Sequence, residues 1–260
     1  MDLMEILPYC IISIAAFIAA LSTFFSGFGL GTILLPVFSL FFSPEIALAT
    51  TAVVHFINGS FKVMLTVKNV NWPIFMRFGF FALIGSAVGS YLIYELVDFG
   101  NLYSITIAGI SRQIDYTHFF LGVVMLLFAF LEFSNYFEKR NVAKSWIPVG
   151  GLLSGFFGGF SGHQGAIRSA FLSNSLTSKF EFVATSALLA VIIDITRIST
   201  YSQRVNIEIP IELVFTGATF AILGSLLGNR ILKKTEMTSI KWIVGFFLCI
   251  IGTSMLLGLI

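Results

Sequence analysis

Apolar residues run along this chain in long blocks, not in narrow helical stripes or strict alternation. Blocks at 47–65, 72–94, 118–137, 180–198, 209–232 and 240–260 are mostly close to the roughly 20 residues that carry a helix across a hydrocarbon core. A transmembrane barrel would instead show alternating segments of about ten residues. Two further apolar stretches, 6–42 and 146–173, are interrupted by glycine, the first at Ser26-Gly27-Phe28-Gly29-Leu30-Gly31 and the second at glycines 155, 158, 159, 162 and 165. At that glycine density helix propensity falls by up to about 1 kcal/mol per residue, so each stretch is expected to unwind and fold back as a hairpin.

The pattern occurs twice. Ala49-Thr50-Thr51-Ala52 returns as Ala184-Thr185-Ser186-Ala187, about 135 residues further on, and at that offset Lys62 falls on Arg197 and Val70-Asn71 on Val205-Asn206. Ala82-Leu83-Ile84-Gly85-Ser86 with Gly89 is answered by Ala221-Ile222-Leu223-Gly224-Ser225 with Gly228, and Gly31 by Gly165. The expected architecture is an all-α polytopic membrane protein of two repeats. Residues 1–137 hold hairpin 6–42 and helices 47–65, 72–94 and 118–137; a linker spans 138–145; residues 146–260 hold hairpin 146–173 and helices 180–198, 209–232 and 240–260. Each repeat is a broken or re-entrant hairpin plus three spans. That odd number of crossings inverts the second copy relative to the first, the plan on which many secondary transporters are built.

Composition agrees. The chain is 57% hydrophobic and 11% charged, with 30 phenylalanines, against about 25% charged in soluble domains; mean hydropathy is +0.95. Cys10 and Cys249 imply no disulfide framework, and the N-terminal run lacks the basic start of a cleaved leader. With Lys139, Arg140 and Lys144 placed in the cytoplasm, folded-back hairpins bring Lys62, Lys68, Arg77, Arg230, Lys233, Lys234 and Lys241 inside as well, as the positive-inside rule asks. Trp72, Trp146 and Trp242 follow inner basic clusters, and both termini fall outside. The segment 95–117, with Gly100-Asn101 and Gly109, is expected to be an outer loop.

Candidate chemistry gathers at the breaks. In the second, Ser161, Gly162, His163, Gln164, Gly165 and Arg168 combine donors, a full charge and a helix start whose free N–H groups would suit an anion; Gly29 and Gly31 hold the matching place in the first. Close helix packing alone would explain the glycines but not the His-Gln pair. On the following helix His55, Asn58, Gly59 and Lys62 share one face, and Asp194 and Arg197 occupy the repeat positions of Gly59 and Lys62, with Thr51 and Ser186 further up. Charges at membrane depth cost about 2.5–3.5 kcal/mol and usually have a task, although Lys62 and Arg197 could also snorkel to the headgroups. Asp194 is either the ion-pair partner of Arg197 or a proton-carrying carboxylate. Glu132, Glu181, Glu208, Glu212 and His118 read as interfacial groups at helix ends. No metal or cofactor motif is present.

Gly27-Phe28-Gly29-Leu30-Gly31 through Pro36, Ala49-Thr50-Thr51, Gly155 through Gly165, and Ala184-Thr185-Ser186 together resemble the sulfite exporter TauE/SafE family, also called the toluene-sulfonate uptake permeases, over essentially the whole chain. The resemblance implies transport of sulfite, sulfonates or related organosulfur or carboxylate anions across a bacterial cytoplasmic (inner) membrane. This chain departs from the family in the second hairpin, where Ser161-Gly162-His163-Gln164-Gly165 replaces a run of glycines and Ala170 stands where the first repeat has Pro36. The expected function is a non-enzymatic secondary exporter of a small oxyanion, working by alternating access, with lipid and the anion as its partners and no nucleic acid. An alternative is transport of small carboxylates. Gly159-Phe160-Ser161-Gly162 also matches the GxSG string of rhomboid-type intramembrane proteases, but the following histidine lies only two residues on. A channel would need a continuous pore.

Overall fold

The computed structural model describes residues 3–24, 29–134, 142–173, 175–176, 178–204, 209–231 and 238–260. Ser26-Gly27-Phe28, Lys139, Arg140, Val205-Asn206, Glu208, Lys233 and Lys234 lie outside them. The described chain is mostly helical: α1 (Leu3–Thr23), α2 (Leu30–Ser39), α3 (Pro44–Thr66), α4 (Trp72–Asp98), α5 (Tyr116–Ser134), α6 (Ile147–Ser161), α7 (Gln164–Leu172), α8 (Lys179–Arg204), α9 (Ile211–Ile231) and α10 (Thr238–Leu256). Among the described residues six stretches are long and apolar enough to cross a membrane: Glu5–Ser22, Pro44–Asn69, Trp72–Asp98, Tyr116–Ser134, Lys179–Gln203 and Ile211–Arg230. By contrast α2 has 10 residues and α7 has 9. At 1.5 Å per residue each covers about half of a ~30 Å core.

Glycine decides how the helices meet. A Cβ on Gly151, Gly155 or Gly159 of α6 would sit 2.3, 2.1 or 2.2 Å from the carbonyl oxygens of Phe78, Ala82 and Ser86 on α4. Only a glycine face lets two backbones approach so closely. Gly224 and Gly228 of α9 press in the same way on Phe17 and Leu21 of α1. Both pairs run parallel and both join one half of the chain to the other. The helices that the sequence repeat would pair as equivalents run antiparallel instead. On α3 and α8, His55 meets Asp194 and Gly59 meets Val191; on α5 and α10, Gly122 meets Gly252 and the Phe133 ring lies 5.0 Å from that of Trp242.

The structure departs from the sequence expectation in two places. The second break does not involve the whole glycine cluster, because α6 is helical through Gly155, Gly158 and Gly159, and Gly165 lies in the first turn of α7. Spaced by four, Gly151, Gly155 and Gly159 form one helix face; the reversal falls at Gly162, which adopts φ 80°, a region open to glycine at little cost. Second, the segment 95–117 is not an irregular loop, and the described chain is not purely helical. Asn101–Ile107 (β1) and Ile110–Asp115 (β2) pair antiparallel. Their β-branched content favours strands, and Ala108 and Gly109, both with positive φ, form the tight turn that matches strand twist. The hairpin holds the end of α10: the Tyr103 hydroxyl donates to the Leu256 carbonyl, and Arg112 Nη1 donates to that of Gly258 at 2.9 Å. Asp115 caps α5, its Oδ1 accepting from the His118 backbone N–H at 2.7 Å and lying 2.8 Å from His118 Nδ1. Burial would raise the Asp115 carboxyl, but these hydrogen bonds outweigh it and hold its pKa below the ordinary 3.8.

Candidate anion-binding site

The two breaks meet inside the molecule. Gly29, in the left-handed region at φ 114°, starts α2 without a side-chain cap. Two residues on, a Cβ at Gly31 would lie 3.0 Å from the Gly162 carbonyl oxygen and 3.6 Å from the His55 ring. Beside this contact is a pocket with about 390 Å³ of empty space including its mouth, lined by Phe24, Leu30, His55, Asn58, Gly59, Lys62, Arg168, Val183, Ala187 and Ala190.

Four expected site residues converge there. Lys62 is half-buried, its Nζ 5.3 Å above the Phe24 ring, and no carboxylate lies within ion-pair distance of it among the described residues. Arg168 is buried and donates from Nη1 to Gln164 Oε1 at 2.9 Å. Asn58 Oδ1 accepts from the Ser225 hydroxyl at 2.8 Å, an orientation that leaves its NH₂ for a ligand. His55 Nδ1 lies 2.6 Å from Asp194 Oδ2; a carboxylate with no proton only accepts, so Nδ1 carries the hydrogen and Nε2 is the ring's free nitrogen.

Other expected residues stand behind the pocket. Asp194 is fully buried and receives His55 on one oxygen and both Gln164 Nε2 (3.2 Å) and Arg197 Nε (3.0 Å) on the other. Arg197 is also fully buried and packs beneath the break, where a Cβ at Gly162 would be 2.8 Å from its Nη1. Lys62 and Arg197, equivalent in sequence, are therefore not equivalent in space: the lysine lines the pocket and the arginine is paired away from it. His163 is buried, stacks on Phe128 with ring centroids 5.0 Å apart, and does not line the pocket. Thr51 and Ser186 are buried in α3 and α8, also off the pocket. The helix start that reaches the pocket is that of α2, through Leu30, and not that of α7 near Gly165.

His163 Nδ1 does lie 3.0 Å from Ser161 Oγ. The same nitrogen is 3.1 Å from the Ser161 carbonyl, which can only accept. It is therefore a donor, unable to take a proton from the serine, and both residues are sealed from solvent. The apolar walls Val183, Ala187 and Ala190 and the Ser225 partner are not singled out by composition. Ser225 had a signal in the repeat, for its counterpart Ser86 bonds the Ile193 carbonyl at 3.1 Å, and Ile193 holds the repeat position of Asn58.

Half-helices that meet beside a two-cation pocket, among membrane-length helices, define a polytopic membrane protein. The family model for sulfite exporter TauE/SafE matches residues 12–255, nearly the whole chain, and the protein belongs to that family of membrane transporters. No curated protein and no solved structure matches it.

Proposed function

We propose that this protein is a secondary exporter of a small oxyanion, sulfite or a small organosulfonate, and that it works by alternating access between two inverted repeats. The observation that carries this reading is the placing of Lys62 and Arg168 on one pocket at the meeting of the two breaks. An anion there meets two cations, the Asn58 amide and the positive end of α2, the charge-assisted donors an oxyanion requires. Because Asp194 is engaged by Arg197, its charge does not oppose the ligand. An inside-negative potential drives anion export by about 2.3 kcal/mol per charge per 100 mV without a nucleotide.

Inversion is supported by the antiparallel packing of equivalent helices, α3 on α8 and α5 on α10. Trp72, Trp146 and Trp242, all more than half exposed, begin α4, precede α6 and begin α10 at one end, which we assign to the cytoplasmic face of the bacterial inner membrane. The opposite end holds the β-hairpin, the start of α1 and the end of α10. For a coupled proton, Asp194 is crowded by three donors; His55, which lines the pocket, keeps Nε2 as the open acceptor. The apolar walls Val183, Ala187 and Ala190 also favour an anion with a short carbon chain, so small carboxylates are the second reading.

Sulfite flux into proteoliposomes tests the proposal. Lys62→Ala and Arg168→Ala should each cut flux at least about tenfold, the loss of one charge-assisted contact; wild-type flux in both would eliminate the site. Thermal stabilisation by sulfite, sulfoacetate, sulfate and acetate separates the two substrate readings.

A further inference from the structure

Lys62 and Arg197 occupy matching places in the repeat, yet they lie on opposite sides of the His55–Asp194 contact. Since α3 and α8 are antiparallel, the lysine, seven residues past His55, reaches toward the N-terminal half of α8, where Val183 and Ala187 share its pocket. Arg197, three residues past Asp194, stands further the other way along α8, its guanidinium drawn back onto Asp194 Oδ1. The repeat offset that carries Lys62 onto Arg197 also carries Gly59 onto Asp194, and it relates the walls Val183 and Ala187 to Leu48 and Ala52. The pocket thus has a sequence counterpart on the far side of the breaks, with both of those counterpart walls buried.

That far side contains buried polar atoms without a use. Among the described residues Arg197 Nη1 and the Tyr94 hydroxyl have no hydrogen-bond partner, and both side chains are more than nine-tenths buried. Tyr94 lies against Tyr201, ring centroids 4.6 Å apart. Tyr201, one turn beyond Arg197 on α8, donates its hydroxyl to the Gly159 carbonyl beside the break. A guanidinium N–H and a phenol left unfilled in a dry interior are costly.

We propose that Arg197 and Tyr94 form a second anion station, closed in this conformation, which becomes the binding pocket when the carrier opens to the opposite face. Its ligand is the same class of small oxyanion that the Lys62 pocket takes, and the inference rests on the alternating-access reading above. Asp194 joins the stations, holding His55 of the open pocket with one oxygen and Arg197 of the closed one with the other. Each access state would then use the cation of a different repeat.

The test is the KM for sulfite measured separately at each face, in proteoliposomes sorted by orientation. Tyr94→Phe removes the unfilled hydroxyl and leaves the Asp194 network whole, so it keeps the test alive if Arg197→Lys fails to fold. Both variants should raise KM about three- to tenfold at the Arg197 face only, and Lys62→Gln should do so at the Lys62 face only, the size expected for one lost hydrogen bond or charge contact. Wild-type flux together with a Tyr94→Phe KM that is unchanged, or raised equally at both faces, would overturn the second station alone. Absence of sulfite flux in the wild type would overturn the functional reading and the station with it.

Discussion

Asp194 is the residue on which the interior depends most. Its two oxygens accept from three side chains on three helices, α3, α7 and α8, and it offsets a fully buried arginine. Asp194→Asn should therefore cost about 3–5 kcal/mol, the usual penalty for leaving one member of a buried pair uncompensated, seen as a lowered melting temperature in detergent. Asp194→Asn with Arg197→Met should recover much of that loss, which a role confined to ligand binding would not produce. At this scale the polar members of the candidate site are legible: His55, Asn58 and Lys62 fall on one helical face, and a lysine or arginine in apolar sequence announces itself. The walls were not legible, since an alanine or valine facing a pocket has the same signature as one facing lipid. Nor could spacing separate the cation that lines the pocket from the one paired with Asp194, because that difference arises from the packing of α7 and the breaks against α8.

Among the elements, the pairing of α4 with α6 depends on its glycines. Gly155→Val would drive a side chain into the Ala82 backbone, which cannot swing aside as a flexible side chain could. It should destabilise the fold by about 3 kcal/mol or more, whereas Gly217→Ala, whose Cβ would meet Ile12 and Val54 at an ordinary 3.4 Å, should melt like the wild type. Differential scanning fluorimetry on the two variants makes the comparison. The same glycines explain why the second hairpin was misjudged from sequence. Density alone suggests unwinding, but a period of four is compatible with an unbroken helix when a partner backbone waits opposite. The β-hairpin was missed for a related reason: its strands are short, and the Ala108-Gly109 turn is a weaker signal than Asn-Gly. At acid pH, as the medium falls through the lowered pKa of Asp115, the cap between that hairpin and α5 is lost.

For the whole molecule, membrane-length apolar blocks made the polytopic helical class plain from sequence, and the doubled motifs pointed to the family. Sidedness is open to experiment. Impermeant thiol labelling of single cysteines near Leu3 and Leu259 should reach both from one face, and a cysteine at Lys68 only from the other, in a chain whose Cys10 and Cys249 are serine. Labelling of the first two from opposite faces would break the proposed topology.

The crosswise contacts α1–α9 and α4–α6 also bear on biosynthesis. At about 5–20 residues per second, α1 leaves the ribosome on the order of 10–40 s before its glycine-faced partner exists. During that interval the Phe17–Leu21 surface must be shielded by lipid or by the insertion machinery. Final assembly begins only once Ile231 has emerged.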